Sequence, residues 1–534
     1  MASVAQHSDS DPASGPAGAC SPDQMIAAID AAVPELQAHA LEEERAGKLS
    51  DETVRRLADI GVFDIAIPRE YGGMGYSTAD QRRIYTAVGK IAGSTGWVTW
   101  VTTTHVRWLT LWPAQAQDEV FGLDWPAPRV SGVITANGPG RAREVEGGYM
   151  LSGKWPFASG CRHSAFCILG AQVERPDGST EMRLMLVPTA EAEILDDWHV
   201  SGMKASSSNS VELAKETFVP AYRTVSFIQA VLGVPEKPLP ADQVVFRNNF
   251  ATYTSLTSGA TPLGMAQGAL DYFMSRIGRR GITATDYKVQ ADAAVTHFQV
   301  AEAIGRIEAA ERLLDADARE IDRRAGADEP FDDLFRAKVR FDVAASVRSC
   351  AEAIEILHRA SGASTIHEAN PMQRYARDVR VATVHGQFNY ETCAEDYGRA
   401  LCGKPIFGSP VPSEAAAAAA PAAASTGGGA GAEAGAARVD GAWNVVITSP
   451  LGAQKSVLTV RCEGDSFAGT FEGEMGDLPI EQARVEGDTL RWSMKMTVPI
   501  PITLDCVATI SGDVIEGSAA AGTIGSFPLT GVRA

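Results

Sequence analysis

The chain has 534 residues, is 45% hydrophobic and 21% charged, and carries 66 acidic against 47 basic residues for a formal net charge of −19. That length exceeds what one hydrophobic core serves, so two or more domains are expected, and the composition excludes a wholly disordered or polytopic membrane protein. So acidic a surface repels phosphate backbones, which argues against nucleic acid as a partner. No apolar run reaches the roughly 18 residues of a bilayer span.

The first 23 residues hold acids and prolines where a secretory signal needs a basic start and an apolar run, so a cytoplasmic location is expected. Residues 1–21 read as disordered. Residues 22–125 read as a helical domain: Ile26, Ile29, Val33 and Leu36 fall on one helical face, Val54, Leu57 and Ile60 on another, and Ser50 has helix-start chemistry. Residues 126–235 change to short alternating runs broken by glycines, such as RVSGVITA, AFCILGAQV and EMRLMLVP, which read as strands. Residues 236–407 are helical again, with one long run from Asp286 to Arg323. Residues 408–438 are Ala, Pro and Gly with almost nothing to build a core, and read as a mobile linker. Residues 439–534 hold six to eight short strand patterns, which suggest a small antiparallel barrel or sandwich. Helices, a strand block and then long helices make an α+β multidomain order rather than alternating βαβ units. The eight scattered cysteines form no metal or disulfide pattern and read as reduced thiols.

The phrase Gly153-Lys-Trp155-Pro-Phe157-Ala-Ser159-Gly160 ends an aromatic strand in a hydroxyl. Such a surface suits an isoalloxazine ring; on residue types alone it more readily describes a core strand ending in a turn. A second phrase, Trp198 to Val211, gathers Ser206, Ser207, Ser208 and Ser210, whose hydroxyls can donate to a ring edge or a phosphate, as serine-rich loops also do without any ligand. Between Gly96 and Trp112 lie four of the nine tryptophans, with His105 among them. Trp97, Trp100 and Trp108 are candidates to line an aromatic pocket or to serve as core, and a lone helical histidine more often fills a core than performs chemistry.

Four phrases in order carry a resemblance: Ile67-Pro-Arg-Glu-Tyr-Gly-Gly73-Met-Gly75, Gly202-Met-Lys to Val211, Ala269-Leu-Asp-Tyr-Phe-Met-Ser-Arg276, and Arg377-Asp378-Val-Arg380. Residues 22–408 resemble the acyl-CoA dehydrogenase fold, which implies an N-terminal helical domain, a central β-domain and a C-terminal four-helix bundle, with the all-β piece as an addition. In the commonest dehydrogenases a glutamate base follows the Arg-Asp phrase. Here that place falls on Gly386, which cannot take a proton, and His385 precedes it.

The aromatic-serine phrase and His385 instead resemble flavin-dependent monooxygenases of the same fold. That resemblance implies the oxygenase component of a two-component system, which uses reduced flavin (FMN or FAD, undecided) and O2 through a C4a-hydroperoxide to oxygenate an aromatic or polycyclic small molecule. Ser159 would contact the flavin N5 edge beside a wall of Trp155 and Phe157. His385 would act as base and His105 would hold the substrate or the activated oxygen. Ser206, Ser208, Arg276 and Ser364 would bind the cofactor, Arg276 and Ser364 across a subunit boundary. A homotetramer is implied, with a dimer as fallback. No GxGxxG phrase follows a strand, so a separate NAD(P)H-flavin reductase is expected as partner, with no metal and no membrane. A dehydrogenase on the same scaffold and a non-catalytic binding protein with a degenerate flavin site are the alternatives.

Overall fold

The computed structural model describes residues 20–407 and 439–534, apart from 124–128, 135–139, 175–179, 233–234, 236–239, 241, 405, 450–451, 465, 474–477, 497–501 and 521–525. The expected linker and all but the end of the expected disordered N-terminus lie outside the described residues.

The helical block is α1 (Pro22–Ala46), α2 (Asp51–Ile60), α3 (Thr78–Gly89), α4 (Gly93–Leu109) and α5 (Ala114–Phe121). Side chains fix where the first three begin. Ser21 and Gln24 form a capping box, and Ser50 and Ser77 accept from the backbone N–H groups of Thr53 and Asp80. Helix α4 is the central element, since every residue in it except Trp97 and Val101 is buried. Those two are one turn apart, and His105 follows one turn later on the same stripe.

The strand block is β1 (Val130–Val133), β2 (Gly140–Val145), β3 (Gly148–Trp155), β4 (Phe166–Glu174), β5 (Thr180–Pro188), β6 (Glu193–Ile194), β7 (Val211–Pro220) and β8 (Thr224–Ser226). They form one sheet in the order β6-β7-β3-β2-β4-β5-β8, with β1 parallel to β4. Strands β3 and β7 are antiparallel, and Trp155 at the end of one pairs with Val211 at the start of the other. That register brings the residues after Trp155 beside those before Val211, so the two hydroxyl-bearing phrases of the sequence meet.

The second helical block comprises α6 (Phe227–Leu232), α7 (Phe250–Ser258), α8 (Ala260–Ile277), α9 (Ala294–Gly326), α10 (Asp333–Ala360), α11 (Pro371–Thr383) and α12 (Tyr390–Leu401). The long run expected from Asp286 becomes helical only at Ala294, after a single 3₁₀ turn at Gln290–Asp292. Leu263, Phe273, Leu314, Val343 and Leu357 lie in its core. Helices α3 and α8 touch backbone to backbone at Gly264, where a Cβ would stand 2.2 Å from the Thr86 carbonyl oxygen. No helix among the described residues is long and apolar enough to cross a membrane.

The last piece is a closed barrel, not a sandwich. It comprises β9 (Gly441–Ser449), β10 (Gly452–Glu463), β11 (Ser466–Gly473), β12 (Leu478–Glu486), β13 (Thr489–Met496), β14 (Ile502–Ser511), β15 (Val514–Ala520) and β16 (Ser526–Arg533), which run up and down in chain order until β16 meets β9. Trp443, Leu458, Phe471, Leu490, Met494 and Leu529 fill its interior.

Candidate functional site

Ser159 is buried where α4, the end of β3 and the loop before β7 converge. Its Oγ accepts the Trp97 indole N–H at 3.2 Å and lies 2.6 Å from Ser208 Oγ, which is 2.8 Å from Ser206 Oγ. Three of the expected residues thus form one hydroxyl chain anchored by an indole. The backbone supports it, as Gly160 N–H donates to Ser206 O at 2.9 Å and Ala158 N–H to Asn209 O at 3.1 Å.

The serine loop is held from the bundle. Asp378 on α11 accepts the Met203 N–H at 2.6 Å, and Arg377 donates to Ser201 O at 2.7 Å. A Cβ on Gly202 would stand 2.6 Å from the Arg377 carbonyl oxygen, so α11 and the loop meet without side chains between them. Met203 and Ser207 both adopt left-handed backbone (φ 53° and 51°), a strained arrangement maintained by these ties. Burial raises the Asp378 carboxyl to about 6, against the pull of the Met203 hydrogen bond and Arg377. The Arg-Asp phrase is therefore a structural clamp on the site.

The expected wall is built differently from the expectation. Trp155 is fully buried in the sheet core, where its indole donates to Gly170 O at 2.8 Å, so it offers no face to a ligand. Phe157, two residues on, takes φ 67° and is 69% exposed, with its ring edge-on to Trp198 and ring centres 5.9 Å apart. Strand alternation would put both aromatics on one side; the left-handed residue breaks that period and turns Phe157 outward.

His385 lies just beyond α11. Its ring stands edge-on to Trp97 at 5.3 Å and 5.4 Å from Phe388. Its Nδ1 accepts the Gln387 N–H at 3.3 Å, which leaves the proton of the neutral ring on Nε2. The residue keeps an exposed edge, yet crowding by protein lowers its pKa. His105 is buried and its Nδ1 has no hydrogen-bond partner; desolvation lowers its pKa to about 4. Both imidazoles are therefore neutral near pH 7.

The tryptophans divide. Trp97 belongs to the site. Trp100 is core, with its indole donating to Thr257 at 3.0 Å. Trp108 is buried against Phe250 at 4.3 Å, and its indole nitrogen lacks a partner. Arg276 and Ser364 are both exposed at a second place, where Arg280 Nη2 would lie 3.3 Å from a Cβ on Gly362. No hydrogen bond links that place to the serine chain among the described residues. Phe388 is a site-building residue that residue patterns did not single out, and Trp198 and Asp378, quoted only as parts of phrases, gain their roles from long-range contacts. A cleft of about 730 Å³ between α3 and α9 is separate from all of this, and its walls carry the ion pairs Arg82–Asp315 and Arg312–Glu308.

Comparison with known proteins decides what this arrangement serves. Residues 26–121 match the acyl-CoA dehydrogenase N-terminal domain and residues 256–390 its C-terminal domain. The chain is 32% identical over 388 residues to the flavin-dependent monooxygenase oxygenase subunit HsaA of Mycobacterium tuberculosis (strain H37Rv), covering 71% of this chain and 96% of that protein. The chain belongs to this family of flavin-dependent oxygenase subunits. It is also 28% identical over 382 residues to the p-hydroxyphenylacetate 3-hydroxylase oxygenase component of Acinetobacter baumannii, covering 71% of this chain and 89% of that one. The solved structure of XiaF from Streptomyces with FADH2 and glycerol superposes with a TM-score of 0.67 at 28% identity, over 72% of this chain and 96% of that one.

The oxygenase is thus the oxygen-activating component of a two-component system. It uses reduced flavin and O2, with a separate flavin reductase and a small-molecule substrate. The dehydrogenase and binding-protein alternatives give way to that assignment. The residues present fit such a cofactor: a buried serine hydroxyl in a fixed chain, an exposed phenyl ring beside it, and two neutral imidazoles. The matched region ends before the barrel, which is this chain's own addition to what those relatives cover.

Proposed function

We propose that this oxygenase hydroxylates an aromatic small molecule bearing a phenolic oxygen, bound between Trp97, His105 and His385. The observation that carries the reading is the Trp97 ring, which donates to Ser159 Oγ on its nitrogen and stands edge-on to His385. One indole thereby couples the hydroxyl chain to an imidazole. Reduced flavin, when bound, supplies the two electrons that let one atom of O2 enter the substrate while the other leaves as water. Ser159 offers its hydroxyl to the flavin ring edge, and Ser206 and Ser208 fix the direction of that hydroxyl. Phe157, with its ring turned outward, covers the cofactor's apolar face and excludes water that would discharge activated oxygen as hydrogen peroxide.

A free phenol has a pKa of about 10, so a base is needed to raise its nucleophilicity near neutral pH. His385 takes this role. For Nε2 to accept the proton, the ring must carry its own proton on Nδ1 and release the Gln387 amide, a bond that at 3.3 Å is easily given up. His105, neutral and two turns along the same α4 stripe as Trp97, holds the substrate oxygen.

Arg276 and Ser364 serve the phosphate end of a flavin in a neighbouring copy, within a cytoplasmic homotetramer. Exposed Phe298, Ile366 and Val384 on the same bundle supply apolar surface for that assembly. The purified chain, given reduced flavin, O2 and a panel of phenols, should yield hydroxylated product. Stoichiometric hydrogen peroxide with every phenol would overturn the aromatic reading. Sedimentation of a fully active monomer would overturn the tetramer.

A further inference from the structure

The barrel is closed, but one of its seams is thin. Strand β10 pairs with β11 over eight residues, whereas among the described residues β11 and β12 pair at Thr470–Pro479 and Phe471–Leu478 alone. Among the described residues no further pair joins Ser466–Gly469 to Ile480–Glu486. Strand β12 then carries a bulge between Glu481 and Arg484, with Gln482 in left-handed backbone (φ 52°).

Two further observations fall at the same seam. Past buried Leu478, the apolar side chains that β12 turns toward the core, Ile480, Ala483 and Val485, are only half-buried, whereas Phe467 of β11 and Leu490 and Trp492 of β13 on either side are buried. Behind the seam, Trp492 meets Phe467 edge-on at 6.1 Å, and its indole nitrogen is buried without a hydrogen-bond partner. A buried donor with no acceptor is costly, and the other large indole of the barrel does not tolerate it: Trp443 donates to Val439 O at 3.1 Å. Solvent reaches the inner face of β12 where the ladder is missing, and an unused N–H lies beneath.

From the sparsely paired β11–β12 seam, the half-buried inner face of β12 and the unpartnered Trp492 indole, we propose that the barrel is a second ligand site, taking a small flat aromatic molecule with an oxygen acceptor. The ring slots between Phe467 and the β12 side chains, and its oxygen accepts the Trp492 N–H. An added peptide strand is disfavoured, because the bulge at Gln482 breaks the regular edge such a strand would need. Eight-stranded barrels are wide enough either to be filled by side chains or to hold one small ligand, and the seam is where this one yields. The molecule has the chemistry of a hydroxylase substrate or product, so the tethered barrel holds a store of it near the enzyme. That choice of ligand class, and hence of a phenolic probe, rests on the reading given under Proposed function.

The test uses the full chain labelled with 5-fluorotryptophan, without flavin, titrated with 2-naphthol and followed by fluorine NMR. The Trp492 resonance is assigned by its loss in Trp492→Phe. It should shift and saturate with 2-naphthol, respond at about tenfold higher concentration to naphthalene, which lacks the acceptor, and stay still in Ala483→Phe, which fills the opening. Should Trp492→Phe fail to fold, the resonance that responds in the wild type and is silent in Ala483→Phe carries the same information. A Trp492 signal unmoved up to the solubility limit of 2-naphthol overturns the proposal, as does an equal response to naphthalene. Trp97 reports the oxygenase site separately: movement of Trp97 alone sinks the barrel site and leaves the aromatic-substrate reading intact, whereas movement of Trp492 alone supports the barrel site, and failure of the aromatic-substrate reading is read independently from the phenol panel with reduced flavin.

Discussion

The carboxylate of Asp378, on a bundle helix, accepts the backbone N–H of Met203, in the serine loop, at 2.6 Å across 175 residues of sequence. This bond holds the left-handed turn from which Ser206 and Ser208 reach Ser159. Asp378→Ala leaves a buried N–H without an acceptor, and a loss of about 1–3 kcal/mol is expected in chemical denaturation. Reduced-flavin affinity should fall with it. Asp378→Asn, which keeps an acceptor oxygen, should recover most of the affinity; equal damage from both variants would show that the negative charge, not the acceptor, matters.

Ser159→Ala removes the acceptor of the Trp97 indole and the partner of Ser208 while leaving the sheet core untouched. The expected outcome is a folded enzyme that consumes oxygen but diverts most of it to hydrogen peroxide, measured as the ratio of peroxide to hydroxylated product. Trp97→Phe, which retains a ring and loses only the N–H, should shift that ratio in the same direction and by less.

His385 must be neutral to take a proton, and crowding lowers its pKa below the ordinary histidine value. The acid limb of kcat/KM is therefore expected below about pH 6.5. His385→Gln should abolish the limb and lower the plateau by about 10²–10⁴-fold. A pH profile that keeps its acid limb in the variant would remove His385 as the base.

His105 has a folded pKa of about 4, against about 6.5 when unfolded. Its neutral form is favoured by the fold, so between those values the unfolded chain binds more protons and stability falls as pH drops. The contribution lost by pH 4 is at most about 3 kcal/mol. The drop in thermal midpoint from pH 7 to pH 5 should accordingly be smaller in His105→Gln than in the wild type.

Every proposed catalytic residue precedes the 408–438 stretch. A chain ended near Gly428 should fold, bind reduced flavin and hydroxylate with an unchanged ratio of product to peroxide under saturating substrate. If the shortened enzyme released its oxygen only as peroxide, the barrel would have to be part of the oxygenation site.

Much of the architecture was legible in the residues alone because its signals are local. Helix starts at Ser50 and Ser77 depend on one side chain reaching a backbone N–H three residues away. The alternation along Gly441–Arg533 needs only period two, although choosing barrel over sandwich needed the closing β16–β9 ladder. Ser159, Ser208 and His385 were accessible through their phrases, since a hydroxyl after an aromatic strand and a histidine before Gly386 keep their neighbours whatever the packing.

What the tertiary structure alone decided is which way side chains turn and what they meet. Trp155 and Phe157 stand two apart on paper and look equivalent. A carbonyl at Gly170 and the space left by Gly140 draw the indole into the core, while a positive φ turns the phenyl ring out. The Asp378–Met203 and Trp97–Ser159 bonds likewise join segments far apart in the chain. The free energy of such contacts depends on the positions of both partners, and no local pattern of residues records it. The sequence by itself determined the elements and the chemical groups available; only folding determined which of those groups share one site.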